Sequence, residues 1–227
     1  MTSWPEFEIE LLQGALLRVD LYEHRYLAVA EYHNVVNHLL RSAAASCLAD
    51  READAEALIE RAARRMIEWV GAARDGRVRV ASFSEFAATR GWLAVALGDT
   101  GAAAAQAFVA MTAELPAGPI HNARMAAALL AGDAQALHAS ARLAELSDAG
   151  LGLPWKRLAL AVDARDETAA LRALAMWIQE KMEATMTHDW GPYNEVPIEV
   201  SGAIGLAARA GLFLAVDSNR VLTRFRG

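Results

Sequence analysis

The side chains best suited to chemistry lie together in one stretch of the sequence, at helical spacing. His33 and Asn37 are four residues apart, as are Asn34 and His38. Residues at this spacing share one face of a helix, so two of them can bind one metal ion. Glu31 falls on the same face as Asn34 and His38. The stretch has no His-Glu-x-x-His motif, Glu-x-x-His pair or cysteine cluster, so hydrogen bonding at a helix-packing seam competes with metal binding as its role.

The rest of the sequence gives little support to an enzyme. It contains no glycine-rich phosphate loop and no Gly-x-Ser-x-Gly nucleophile elbow. We therefore predict a non-enzymatic protein with no catalytic residue, no cofactor and no metal ion. Glu31 and His38 are instead candidate partner-binding residues. One enzymatic alternative stays open, in which Glu31 and His38 bind a metal ion together with a ligand from another helix.

The loop HDWGPYNEVP (188–197) is the second candidate site. It concentrates aromatic and acidic side chains around a Gly-Pro turn, and this composition is typical of residues that anchor protein interfaces. The alternative is that its aromatic residues close the end of the protein against the last helices. The candidate partner-binding residues of this loop are Asp189, Trp190, Tyr193 and Glu195.

The composition limits the classes of protein to which this chain can belong. The 227 residues are 55% hydrophobic, but mean hydropathy is only +0.16, which indicates alanine-rich helices and not a membrane protein. No uncharged apolar run of about 18 residues is present, and the acidic N-terminus does not resemble a signal peptide. The net charge of −6 argues against nucleic-acid binding. With Cys47 as the single cysteine, these features predict a cytoplasmic protein that binds neither membrane nor nucleic acid.

A repeated turn indicates how the elements that position these residues are arranged. Glycine or arginine followed by aspartate recurs at Gly98-Asp99, Gly132-Asp133 and Arg165-Asp166, and the aspartates are 34 and then 33 residues apart. Apolar residues at helical spacing flank each turn. We therefore predict three antiparallel helical hairpins, at 82–116, 120–146 and 153–185.

The remaining segments are expected to be helical as well. Apolar residues recur at helical spacing in 1–20, 21–49 and 50–74, the last with Asp50 as its N-cap. A loop at 75–80 follows. Near the C-terminus we expect a small-residue helix at about 198–211 and a short helix after Asp217. The sequence thus predicts one all-α domain, 1–227, made of N-terminal helices (1–74), helical-hairpin repeats (82–185) and a C-terminal loop with capping helices (188–227).

The middle of the chain resembles tetratricopeptide repeats. In that motif small residues lie where the two helices of a hairpin touch, and Gly91, Ala103 and Ala110 have the matching spacing. The resemblance weakens along the chain, where Leu137 and Trp177 occupy small-residue positions. It implies an array of antiparallel helical hairpins after an N-terminal helical bundle, with a concave surface that binds a protein or peptide. The alternative is an alanine-rich bundle whose spacing is coincidental.

The C-terminal segment resembles the closing segment of the immunity protein 49 family. The similarity lies in PIEVSGAIGLAARAGLFLAVDSNRVLTRF (197–225), with its proline-acid start, a helix of small residues from Gly205 to Gly211, and a tail that contains Asp217. The all-helical build and the size are also similar. The resemblance implies a bacterial cytoplasmic antitoxin that binds and neutralises a cognate protein toxin.

The function predicted from the sequence is therefore neutralisation of a toxin, with a shaped acidic surface that blocks the toxin's active site. A helical-repeat scaffold or regulator that binds an endogenous partner is the alternative. The sequence leaves open the identity of the toxin, the contact face and the oligomeric state.

Overall fold

The protein is described by a computed structural model that covers residues 18–98, 101–113, 115, 120–144, 152–187 and 196–216. These residues form ten α-helices and a short 3₁₀ helix at Val80–Ser82, which confirms the predicted all-α class. The α-helices are α1 (Val19–Ala28), α2 (Tyr32–Leu48), α3 (Glu52–Arg74), α4 (Glu85–Ala96), α5 (Ala102–Met111), α6 (His121–Ala131), α7 (Ala134–Ala144), α8 (Gly152–Asp163), α9 (Glu167–Thr187) and α10 (Val196–Arg209).

Helix α4 lies at the centre of the protein. Every residue of 87–96 is buried, because α2, α3, α6 and α10 all pack against this helix. A row of aromatic rings links α3 and α5 to this helix. Trp69, Phe83, Phe108 and Trp92 follow one another with ring centroids 4.5, 4.9 and 5.3 Å apart. Tilted and edge-to-face contacts of this kind stabilise a core beyond the burial of apolar area.

Small residues let α10 pack closely on α4. A Cβ atom added to Gly202 would lie 2.6 Å from both the Cβ atom and the carbonyl oxygen of Leu93. One added to Gly205 would lie 3.0 Å from the carbonyl oxygen of Ala96. Because glycine has no side chain at these two positions, the backbones of α10 and α4 can come into contact. Small residues determine in this way how closely two helices pack.

A buried ion pair joins the same two helices. Arg90 Nε donates a hydrogen bond to Glu199 Oε1 at 2.7 Å, and both side chains are less than one-tenth exposed. The Arg90 guanidinium also lies 3.2 Å from the centroid of the Phe86 ring. Removing one partner of a buried pair leaves the other charge without compensation. The pair therefore fixes the position of α10 on α4.

Several helices end in the same local structure, a Schellman motif. A residue in the left-handed conformation follows the helix, and the next N–H group bonds back to the last turn. In the turn after α6, for example, the N–H group of Asp133 donates to the carbonyl oxygen of Ala128 at 2.9 Å. A residue other than glycine in this conformation costs about 1 kcal/mol. The left-handed residues of these motifs are Gly76, Gly132 and Gly211, but also Ala30, Asp50 and Arg165.

The repeated aspartates begin helices. Asp133 Oδ1 accepts a hydrogen bond from the N–H group of Ala136, and Asp166 Oδ1 accepts one from that of Ala169, each at 2.9 Å. This N-cap interaction satisfies an N–H group that the first helical turn leaves without a partner. In these two turns the period thus reflects a left-handed residue followed by an N-cap, whereas Gly98 is not left-handed. Asp99, the first aspartate of the series, lies outside the described residues.

The structure corrects two boundaries predicted in the N-terminal part. The pattern over 21–49 contains two helices, because Ala30 (φ 57°) is left-handed and ends α1. Asp50 (φ 55°) is also left-handed and ends α2, so it is not the N-cap of α3. Neither position carries the glycine or proline that normally indicates a helix end. The first predicted helix, over 1–20, lies outside the described residues except for 18–20.

The first predicted hairpin also differs from the expectation. Although α4 and α5 follow each other in sequence, α5 packs mainly against α6 and α3. Ala103 and Ala110, expected between the two helices, are exposed. Gly91 lies against α3, since a Cβ atom there would be 2.7 Å from Met66 Sδ. The small residues of this segment therefore do not form the contact of a hairpin.

The later helices pack against their neighbours in sequence. Helix α6 packs against α7, and α8 packs against α9, where the rings of Trp155 and Trp177 lie 5.4 Å apart. Helix α10 then returns to α4 and α2. In a linear repeat array each repeat contacts only its neighbours, so the return of α10 gives a more closed packing. The terminal helix predicted after Asp217 lies outside the described residues.

We predict that Gly202→Ala destabilises the protein by about 1–3 kcal/mol, because the added methyl group would overlap the backbone of α4. Urea-induced unfolding followed by circular dichroism measures the change. Gly71→Ala is the matched control, since nothing lies within 4 Å of the methyl group added there on α3. We expect this control to stabilise the protein by about 0.5–1 kcal/mol through helix propensity. Equal effects of the two substitutions would contradict the close packing of α10.

Candidate functional site

A groove crosses the edge of the protein at which several helices end. Its volume is about 520 Å³, which lies in the range of pockets that bind small molecules or peptide side chains. The ends of α6, α8 and α10 and the first turn of α7 line it. Buried apolar surface comes from Leu130, Leu137 and Val162, and the charged lining residues are Asp133, Asp163, Arg165 and Arg209.

Arg165 lines this groove from an unusual backbone conformation. It occupies the left-handed position (φ 56°) of the turn between α8 and α9. The equivalent position in the turn between α6 and α7 is Gly132 (φ 68°), which also lines the groove. The Arg165 side chain is exposed and forms no ion pair within the part of the chain that the structure describes. A strained backbone beside a cavity is typical of functional sites.

Arg209 is held beside the groove by the end of α4. Its Nε atom donates a hydrogen bond to the carbonyl oxygen of Ala96 at 2.9 Å. This oxygen belongs to the last turn of α4, where helical carbonyls lack partners within the helix. The bond uses only one of the N–H groups of the guanidinium, so the others stay available to a ligand.

The two aspartates of the groove already have partners. Asp133 is the N-cap of α7, and Asp163 Oδ2 lies 3.1 Å from Nε2 of His138. The two arginines therefore contribute more unused donors than the aspartates contribute unused acceptors. Such a groove suits a ligand that accepts hydrogen bonds.

An exposed aromatic side chain follows the groove in sequence. Leu212 and Leu214 are buried after α10, while Phe213 between them is 80% exposed. This alternation is typical of an extended segment. Phe213 is three residues after Ala210, which lines the groove. Aromatic and arginine side chains are the types that most often dominate the binding energy of protein interfaces.

The polar residues of α2 contact α1 and one another. Asn34 Nδ2 donates a hydrogen bond to Glu31 Oε2 at 2.7 Å, and the His38 ring makes an edge contact with Tyr22, with 4.7 Å between centroids. Burial, with the nearby charge of Arg41, lowers the pKa of His38. Among the described residues, no three His, Cys, Asp or Glu side chains are grouped as a metal site requires. Partner binding by Glu31 and His38 stays a prediction.

The predicted loop site cannot be placed in the structure. Glu199, which follows this loop in sequence, is buried against Arg90 and contributes to packing. The four loop residues predicted to bind a partner, Asp189, Trp190, Tyr193 and Glu195, lie outside the described residues.

A charged cluster joins α1 to α3. Arg61 and Arg65 both donate hydrogen bonds to the carboxylate of the buried Glu23, and Arg61 also contacts Asp20. Burial acts to raise the pKa of Glu23, but the hydrogen bonds from Arg65 and Arg61 outweigh it and hold the pKa below its usual value. Each Glu23 oxygen accepts an arginine hydrogen bond, so the cluster serves to attach α1.

Two basic side chains are buried in the first turn of α6. His121 and Arg124 are 4% and 7% exposed. Burial lowers the pKa of His121, and the charge of Arg124 adds to the shift. Burial also lowers the pKa of Arg124, although the charge of Asp133 acts in the opposite direction. Burial therefore disfavours the charged form of His121 in this turn.

Arg165, Arg209 and Phe213 are not among the functional residues predicted from the sequence. One signal was present, since Arg165 stands where the preceding turn of the repeat has Gly132. A large charged residue at a position that favours glycine carries a cost, and this can indicate a function. For Arg209 no local signal exists, because its place beside the groove depends on how α10 returns to α4.

Comparisons with family models, with curated proteins and with solved structures find no match to this chain. The resemblances to tetratricopeptide repeats and to the immunity protein 49 family therefore stay predictions. Within the described ranges, no helix is both long enough and apolar enough to cross a membrane.

We predict that the protein loses stability as the pH falls below 6.5, the ordinary pKa of histidine. Folding lowers the pKa of His38 and His121. Between those lowered values and 6.5 the unfolded chain binds more protons than the folded chain, so stability is fully present above 6.5 and is lost on acidification. Urea-induced unfolding at about pH 7.5 and about pH 5.5 measures the loss.

The double variant His38→Gln, His121→Gln should lose less stability than the wild type between these two conditions. Both conditions lie above 4.5, the ordinary pKa of a glutamate such as Glu23. The stabilisation from the lowered pKa of Glu23 is lost only below that value, so it does not enter the comparison. An equal loss in the double variant and the wild type would contradict the prediction.

Proposed function

We propose that this protein is a non-enzymatic immunity protein that binds a cognate bacterial toxin in the cytoplasm and neutralises it. The proposal rests on the resemblance of residues 197–225 to the immunity protein 49 family and on the groove at the ends of α6, α8 and α10. A protein that acts in this way needs a complementary surface and no reaction chemistry of its own. The toxin stays inactive for as long as it is bound.

The groove and Phe213 are the observation that carries this proposal. Apolar surface, two arginines and an exposed aromatic side chain are the groups that contribute most to the affinity of protein complexes. Helices α6 and α10 pack against α4, and α8 packs against α6. A groove formed by packed helices loses little conformational entropy when a partner binds, which favours affinity.

We also propose that α6 to α9 form two degenerate tetratricopeptide-like hairpins. Their turns share a left-handed residue, Gly132 or Arg165, followed by an aspartate N-cap. Helical repeats of this kind commonly bind proteins or peptides through a concave surface. The segment of α4 and α5 is left out of this proposal, because α5 packs mainly against α6 and α3.

A scaffold or regulator that binds an endogenous peptide is the second candidate. The size of the groove favours it, because a volume of about 520 Å³ accommodates a few side chains and not a folded domain. The two candidate functions differ in the partner that the protein binds, which is a toxin for the antitoxin and an endogenous peptide for the scaffold. A toxin gene beside the gene of this protein favours the antitoxin, whereas the scaffold has no need of such a neighbour.

We expect co-expression with the toxin encoded beside this protein to restore growth and to give a complex that is stable in size-exclusion chromatography. Phe213→Ser should weaken the complex about tenfold or more, because loss of an aromatic interface residue has an effect of this size. The unfolding midpoint should not change, since the Phe213 side chain is exposed.

Leu21→Ser is the matched control. Leu21 is 66% exposed and lies on α1, which packs against α2, so the affinity for the toxin should not change. If the wild type neither restores growth nor forms a complex, the antitoxin proposal is wrong. A complex that is equally stable with Phe213→Ser would show that the contact surface lies elsewhere.

A further inference from the structure

The charged groups of the groove indicate what kind of segment it binds. We propose that the groove binds an acidic segment of the partner protein, with a side-chain carboxylate of that segment held by Arg165 and Arg209. The inference rests on the proposed partner-binding function and names the chemistry of the segment that the partner inserts.

The two arginines have unused hydrogen-bonding capacity. Arg209 is held through Nε by the carbonyl oxygen of Ala96, which leaves its terminal N–H groups for a ligand. Arg165 is exposed and pairs with no carboxylate in the described ranges. A guanidinium group binds a carboxylate through two parallel hydrogen bonds, which are stronger than bonds between neutral groups. A carboxylate is therefore the ligand group that best uses both side chains.

The backbone conformation of Arg165 also supports a role in binding. The equivalent residue of the preceding turn is glycine, Gly132, and glycine adopts the left-handed conformation without a steric cost. Arginine at this position lowers the stability of the folded protein. The same substitution places a guanidinium group in the groove. Ala30 and Asp50 are also left-handed, but Arg165 is the one of these three residues that lines the groove, and this supports a role in binding.

The other lining residues of the groove favour a polypeptide over a phosphate or a nucleic acid. Leu130, Leu137 and Val162 line the groove together with the arginines, so an apolar side chain next to the acid would also be accommodated. Asp133 and Asp163 line it too, and the chain has a net charge of −6. These negative charges oppose a phosphate dianion or a nucleic-acid strand more strongly than a single carboxylate. An acidic and apolar peptide segment satisfies all three conditions.

This assignment reverses one expectation from the sequence. The net charge predicts that an acidic surface of the protein contacts the toxin. At the groove, however, the two arginines have more unused hydrogen-bonding positions than the two aspartates. Net charge is a sum over the whole surface and does not determine the sign of the potential at one site.

The experiment uses the full-length protein and follows the Nε–Hε signals of Arg165 and Arg209 by nuclear magnetic resonance. The first probe is a short blocked peptide in which an aspartate lies between leucines, and the second is the same peptide with asparagine. We expect saturable shifts of both signals with the acidic peptide and about tenfold or more weaker binding of the asparagine peptide. Stronger binding of inorganic phosphate or of a single-stranded oligonucleotide would overturn the proposal.

Arg165→Gly separates binding from stability. We expect this variant to raise the urea midpoint of unfolding and to weaken binding of the acidic peptide about tenfold or more. Ala30→Gly is the matched control, because Ala30 is also left-handed but does not line the groove. It should raise the midpoint and leave the affinity unchanged. A lower midpoint with unchanged affinity in Arg165→Gly would mean that Arg165 serves the fold alone, and the proposal would be wrong.

The toxin complex then distinguishes this inference from the proposed function. If the acidic peptide binds but the toxin does not, the antitoxin function is wrong and the groove assignment stands. If the toxin complex forms and has the same affinity with Arg165→Gly, the antitoxin function stands and the groove assignment is wrong.

Discussion

The burial of residues 87–96 of α4 is the constraint on which the rest of the structure depends. A charged group in a segment enclosed on every side is costly unless an opposite charge pairs with it. Its one charged residue within 87–96, Arg90, therefore pairs with Glu199 of α10. Neighbouring helices must also come close to it, and this is possible where Gly91 faces α3 and Gly202 faces Leu93. The pattern of small residues in both helices follows from this enclosure.

The groove is a consequence of the same packing. Because α10 lies along α4, its last residue, Arg209, reaches the carbonyl oxygen of Ala96 at the end of α4. The turns after α6 and α8 end at the same edge and contribute Gly132 and Arg165. Each turn is stable by itself through its Schellman hydrogen bonds and its aspartate cap. Their assembly into one groove depends on the central helix that α6 and α10 share.

The charged clusters of the protein have different roles. Some of them use their hydrogen-bonding groups within the protein, and others leave donors unused. Glu23 has an arginine on each oxygen, so the cluster of α1 and α3 is complete without a ligand. Glu31 bonds to Asn34 on its own helix. The arginines of the groove keep unused donors at an accessible place. The helical spacing of Glu31 and His38 can be recognised in the sequence without knowledge of the fold. The unused hydrogen-bond donors at the groove cannot be recognised in this way.

The sequence by itself determined the helical class, most helix positions and the turns with an aspartate cap. These depend on hydrogen bonds between residues a few positions apart, as at Asp133 and Ala136. Breaks without glycine, such as Ala30, were missed, because no glycine or proline indicates the helix end at this position. Only the tertiary structure decided that α5 packs mainly against α6 and α3, that α10 returns to α4, and that Arg165 and Arg209 line one groove. Those outcomes depend on contacts such as Arg90 with Glu199, separated by 109 residues, and no local pattern specifies contacts at that separation.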